Sequence, residues 1–125
     1  MNIQLVIGAL LALSGVMLGA FGAHGLKSML DSAALNTFEI GVRYQLYHGL
    51  AILMLAGLTQ YASLPWCIRA AYFFIIGSAL FSGSLYLLVL TGHKWLGPVT
   101  PLGGLCLMLG WLCVLVALVK GKAPY

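Results

Sequence analysis

The residues able to do chemistry in this chain are few and fall in four short stretches. "RYQLYHG" (43–49) offers Arg43, Tyr44, Gln45 and His48, and "FSGSLY" (81–86) offers Ser82, Ser84 and Tyr86. "GAFGAHG" (19–25) carries His24, and "VTPLGG" (99–104) carries Thr100. Glu39 and Arg43 stand four apart, so they can pair on one helix face. Tyr44 and His48 have the same spacing and share a face. Ser78, Ser82 and Tyr86 form a polar stripe at steps of four. An imidazole in apolar surroundings is a candidate proton-transfer or binding group, and an arginine beside it can meet an anionic group.

Each of these residues also has a structural role open to it. Arg43 can run its stem along lipid to the interface. Tyr44, Tyr47, Tyr86 and Trp95 suit an aromatic belt. The serines can bond back to carbonyls of their own helix. His48 can bridge two helices, and His24 can cap a helix end. His24, His48 and His93 show no ligand spacing and lack carboxylate or thiolate support, so no metal is assigned. Cys67, Cys106 and Cys113 form no CxxC pair and read as small apolar residues. No nucleophile–base pair, HExxH, phosphate loop or cofactor fingerprint is present, so no catalytic residue and no cofactor are assigned.

The elements that must position these groups follow from composition. Of 125 residues, 62% are hydrophobic and 6% charged, far below the roughly 25% charged of a soluble domain. The net charge of +4 forms no basic stripe, which excludes nucleic acid as a partner and points to cations flanking membrane spans. Four apolar segments, about 3–23, 42–61, 66–90 and 101–119, approach the roughly 20 residues that cross a bilayer. Lipid cannot satisfy backbone groups and the alternation of a barrel is lacking, so the expected fold is an all-α integral membrane protein. It is a single domain over 1–125, with four transmembrane helices in an antiparallel bundle. The first segment resembles a secretory leader in part. However, "MNIQ" has no basic side chain and the apolar run is long enough to span, so it is read as a retained helix.

Boundary signals refine the spans. Thr100 is expected as N-cap with Pro101 at the first helical position, and Pro65 is expected to open the third span. Asn36 with Glu39 fits a capping box for the second, although that helix can begin as early as Asp31 or Ser32. Gly25 is expected just past the first helix, and Leu26–Phe38 to hold a short interfacial helix.

Small residues mark packing seams. Gly8, Ala12, Gly15, Gly19 and Gly22 make one stripe, and Gly103, Cys106, Gly110, Cys113 and Ala117 another. In lipid, close backbone approach holds helices together. More seams than one bundle needs imply a homo-oligomer. Antiparallel threading gathers the four polar stretches in one leaflet, at one depth around His48 and Thr100. Discounting Arg43, cations favour the terminal side (Arg69, Lys120, Lys122 against Lys27 and Lys94), which places both termini in the cytoplasm.

The stretches "LGAFGAHGL", "YQLYHGL", "FSGSLYLL" and "TPLGG" followed by "GW" resemble, in order and over nearly the whole chain, the small bacterial inner-membrane proteins of the YgdD/YwdK type, and a small eukaryotic transmembrane relative. The resemblance implies a four-span plasma-membrane protein and no reaction. The leading functional reading is a self-associating, non-enzymatic module that binds a lipid, a quinone-like molecule or a partner helix at the polar cluster. That cluster comprises His24, Glu39, Arg43, Tyr44, Gln45, His48, Ser82, Ser84, Tyr86 and Thr100. An oligomeric channel or transporter is the alternative. An intramembrane enzyme with His48 as base, aided by Glu39 or Tyr44, comes third.

Overall fold

Asp31 adopts an extended backbone (φ −69°, ψ 170°) and its carboxylate accepts the amide of Ala34 at 2.7 Å, so a helix starts at Ser32. The structure, a computed structural model, describes residues 1–123. It is all-helical: α1 (Asn2–His24), α2 (Ser32–Leu58), α3 (Leu64–Thr91) and α4 (Val99–Lys120), with single 3-10 turns at Leu26–Ser28 and Lys94–Leu96. Asn2–His24, Leu64–Thr91 and Lys94–Lys120 are each long and apolar enough to cross a membrane.

Several boundaries differ from those expected. The second helix begins ten residues before position 42, because Asp31 caps it; Asn36 and Glu39 lie inside it and form no capping box. No interfacial helix fills Leu26–Phe38, since Ser32 onward already belongs to α2. α4 starts one residue before Thr100, with Pro98 at its cap, which frees the threonine hydroxyl for another partner. Gly25 does follow α1, but in a right-handed conformation (φ −70°, ψ −45°), because the chain runs straight into the 3-10 turn.

The small residues explain how the helices meet. A Cβ on Gly8 would sit 2.9 Å from Ile52 Cγ2, on Gly15 2.8 Å from Leu46 Cδ2, on Gly19 3.3 Å from Val42, and on Gly22 3.1 Å from Phe38. The whole α1 stripe therefore faces α2, in antiparallel register. Across from it, a Cβ on Gly49 would lie 2.9 Å from the carbonyl oxygen of Gly8 and 3.0 Å from the amide nitrogen of Ala12, so two backbones touch directly. The α4 stripe faces α3 in the same way: Gly103 lies against the backbone of Phe81, and Gly110 against the ring of Phe74. Gly77 on α3 receives Leu107. Both stripes are thus occupied within one chain, and the surplus seam that suggested a second copy is not among them.

The main interfaces are α1–α2, α2–α3 and α3–α4, with α1 also touching α3. The helices form a folded row in which α3 separates α2 from α4. Ile52, Leu55, Ala70, Ala71 and Phe74 make the dry centre, while Ile3, Val6, Leu10 and Leu13 of α1 and Leu102, Leu105 and Leu112 of α4 face outward, as lipid-facing side chains do.

Two neighbouring glycines should respond oppositely to one methyl group. At Gly103 the added carbon would strike the Phe81 backbone, which cannot move away without separating α3 from α4, whereas at Gly104 it would rest 3.7 Å from the Phe81 ring in ordinary contact. Gly103→Ala should cost about 1–3 kcal/mol, and Gly104→Ala should be neutral or slightly stabilising, since glycine is the poorer helix former. Thermal unfolding of both purified variants in the same detergent checks the contrast.

Candidate functional site

Gln45 lies on the buried face of α2, between α1 and α3. Its Nε2 donates to the carbonyl of Leu11 at 2.9 Å and to Ser14 Oγ at 2.7 Å, and its Oε1 accepts from the Tyr86 hydroxyl at 2.7 Å. A carbonyl can only accept, so the amide must turn its nitrogen to α1 and its oxygen to α3. Ser14 passes its own proton to the carbonyl of Leu10 at 2.7 Å. Beside this chain Ser82 donates to the carbonyl of Gly41 at 2.6 Å, tying α3 to α2, and the Tyr86 ring packs over Gly41 and against Phe38.

His48 is buried deeper along α2. Its Nε2 receives the Trp111 indole N–H at 3.1 Å, and its Nδ1 lies 2.7 Å from the carbonyl of Tyr44. Indole is a donor only, so Nε2 is the acceptor and the ring proton is on Nδ1, donated to Tyr44. Both ring nitrogens are occupied. In this arrangement the Nε2 lone pair is engaged by the Trp111 N–H, so His48 joins α2 to α4. Ser84 donates to the carbonyl of Phe81 at 2.9 Å and shares a 2.6 Å bond with Thr100, so Thr100 is the donor in that pair.

The expected cluster therefore divides. Gln45, Ser82 and Tyr86 form one interior network, Tyr44 and His48 face α4, and Ser84 with Thr100 clasps α3 to α4. Three members lie apart: His24 at the exposed end of α1, and Glu39 and Arg43 on the exposed face of α2, with no ion pair joining them. Nor is there a single depth. Trp111, the partner of His48, sits eleven residues beyond Thr100 on α4, about 16 Å along the axis. His48 is near mid-helix, whereas Thr100 is near the helix end. No cluster of three or more metal-ligating side chains occurs among the described residues.

Because α3 keeps α2 and α4 apart, a groove of about 330 Å³ opens between them, lined by Tyr44, His48, Phe81, Gly104, Leu107, Met108 and Trp111. Its walls are aromatic: Tyr44 lies 4.8 Å from Phe81 and 6.2 Å from the His48 ring, centroid to centroid, and Trp111 lies 6.0 Å from His48. Tyr44 and Trp111 are both about two-fifths exposed, so the groove opens sideways. The Tyr44 hydroxyl has no hydrogen-bond partner among the described residues.

Sequence reasoning missed Ser14, Gly41, Gly49 and Trp111 as working residues. Ser14 had a signal, being the one polar side chain between Gln4 and His24. The pairing of Trp111 with His48, 63 positions away, had none.

Removing Trp111's N–H while keeping an aromatic ring isolates one bond. Trp111→Phe should cost about 0.6 kcal/mol and at most about 1.7 kcal/mol, the mean and maximum measured for interhelical hydrogen bonds in a membrane protein. Gln45→Leu should cost more, because it breaks links to two other helices at once. Unfolding titrations in mixed micelles, run with the two single variants and the double variant, should rank them in that order with additive losses.

Comparison with known proteins places this geometry in context. The family profile described as "Protein of unknown function (DUF423)" matches residues 18–104. The chain is 40% identical over 121 residues to the UPF0382 membrane protein YwdK of Bacillus subtilis, covering 96% of this chain and 98% of that one. It is 40% identical over 122 residues to the UPF0382 membrane protein SAB0533 of Staphylococcus aureus, with the same coverage of each chain. It is 37% identical over 119 residues to the UPF0382 inner membrane protein YgdD of Escherichia coli K12, covering 95% and 91%. No solved structure matches.

Proposed function

The chain belongs to the DUF423 (UPF0382) family of membrane proteins, and from that premise we propose a non-enzymatic inner-membrane module that holds a lipid-phase molecule in the groove between α2 and α4. All four helices cross the bilayer in this reading. α2 packs along α1 from Gly22–Phe38 to Gly8–Ile52, so a crossing by α1 takes α2 back over the same depth, with its polar side chains Gln45 and His48 turned inward. Both termini then share one side, the one bearing Arg69, Lys120 and Lys122, and this reading puts that side in the cytoplasm.

The observation that carries the reading is the unpartnered Tyr44 hydroxyl at the rim of an aromatic groove. In hydrocarbon a phenol without a partner is costly, and a ligand carbonyl would satisfy it. The matching ligand has a flat or acyl apolar body and a carbonyl acceptor, as in a quinone-like molecule or a lipid ester. A volume of about 330 Å³ lies at the low end for small-molecule sites. A partner helix would need a longer trough than the two turns of α4 that form this wall. A conducting path finds less support, because Ser82, Ser84, Gln45 and Thr100 spend their hydrogen bonds on one another and on backbone.

A short-tailed benzoquinone, decyl-ubiquinone, provides a direct probe. With Trp66 and Trp95 replaced by Phe, Trp111 is the sole tryptophan, and its emission should be quenched saturably in nanodiscs. Gly104→Leu, which fills the groove without straining the α3 contact, should abolish the saturable part and leave the melting temperature intact. Quenching that rises linearly with quinone, alike in both proteins, would sink the proposal.

A further inference from the structure

A second site stands at the opposite end, independent of the groove near His48. Arg69 lies five residues inside α3, about 7.5 Å below the helix start. Its guanidinium is exposed and stacks 4.5 Å from the centre of the Trp66 ring, one turn closer to the membrane surface, so the side chain points toward the headgroup region. The chain has only two acidic side chains, and both are at the other end: Asp31 caps the start of α2, and Glu39 follows two turns later. No ion pair reaches Arg69 among the described residues, and Lys120 and Lys122 add positive charge at the same end. Among the described residues no acidic group stands at this end to serve as a counterion for Arg69.

Directly below the guanidinium, Arg69, Tyr72, Phe73 and Ile76 line a furrow of about 170 Å³ with an apolar surface. Their spacing of three, one and three keeps them on one face of α3, running from the interface toward mid-depth. A cation above an apolar furrow matches a molecule with an anionic head and a hydrocarbon tail. We propose that this face is a binding site for an anionic phospholipid. The phosphate rests on Arg69, held in place by Trp66, and one acyl chain lies over Tyr72, Phe73 and Ile76. Arginine suits this role because its planar fork can bond two phosphate oxygens while its face stays on the indole.

The experiment uses the full chain in neutral detergent, titrated with dioleoyl-phosphatidylglycerol, dioleoyl-phosphatidylcholine or glycerol phosphate, and read by thermal unfolding and native mass spectrometry. Phosphatidylglycerol should raise the melting temperature and persist as a bound adduct, whereas phosphatidylcholine and glycerol phosphate should do neither. Arg69→Gln should require about tenfold more phosphatidylglycerol for the same shift. Arg69→Lys should retain part of the response, and Lys94→Gln, at the far end, all of it. Equal responses to the two lipids, an unchanged response in Arg69→Gln, or glycerol phosphate matching phosphatidylglycerol would each overturn the proposal. Should Arg69→Gln fail to fold, mass spectrometry of the unsubstituted chain decides: retention of both lipids alike refutes the site, and selective retention of phosphatidylglycerol that Arg69→Lys weakens supports it.

Discussion

The bundle depends on one amide. In lipid, burial of apolar area gives helices little reason to prefer each other over acyl chains, so specificity must come from close backbone contact and from polar groups with no other partner. Gln45 supplies the second kind at the point where three helices meet. Its nitrogen holds Leu11 and Ser14 of α1 with both of its protons, and its oxygen holds Tyr86 of α3. Glycines supply the first kind. Gly49 lets α1 touch α2 through backbone atoms, and Gly103 lets α4 touch the backbone of α3. Rotating α2 by one residue would break the amide links and drive a side chain into the seam with α1.

The groove is a consequence of that order. With α3 packed tightly against both neighbours, α2 and α4 cannot meet as backbones, and side chains must bridge them. His48 and Trp111 do so by a single hydrogen bond and edge-on ring contact, supported by Phe74 below. That bridge closes one stretch of the gap and leaves the part beside Tyr44 and Phe81 open. His48 bridges the two helices, and the hydroxyl of Tyr44 one turn away has no hydrogen-bond partner among the described residues.

Much of this was legible in the residues. The α1 stripe of Gly8, Ala12, Gly15, Gly19 and Gly22 foretold a helix pressed along its whole length against another, because repeated glycine in a helix needs a compensating contact. It could not name the partner, since any apolar face satisfies a glycine stripe; Ile52, Leu46, Val42 and Phe38 on α2 look no different in sequence from lipid-facing residues. The start of α2 was blurred because Asp31 and Asn36 both fit a cap, and only backbone geometry separates them. Polar residues were found where they are rare, which is why Gln45, His48 and Tyr86 stood out. Their sorting into a network, a strut and a clasp depends on which helix lies on which side, and hydrogen-bonding inventory alone does not fix that.

Two adjacent glycines of α4 face different surroundings. A glycine inside a helix costs about 1 kcal/mol against alanine in water. At Gly103 the cost is offset, because no side chain of any size could lie against Phe81's backbone there. At Gly104 no such contact exists: a Cβ would sit 3.7 Å from the Phe81 ring, which is comfortable packing. The helix seam gives no reason for glycine at that position. The groove does, because any larger residue would project between Tyr44 and Trp111 and fill the space they leave. Gly57 of α2 and Gly83 of α3 are likewise clear of close contact, so what singles out Gly104 is its place in the wall of the groove.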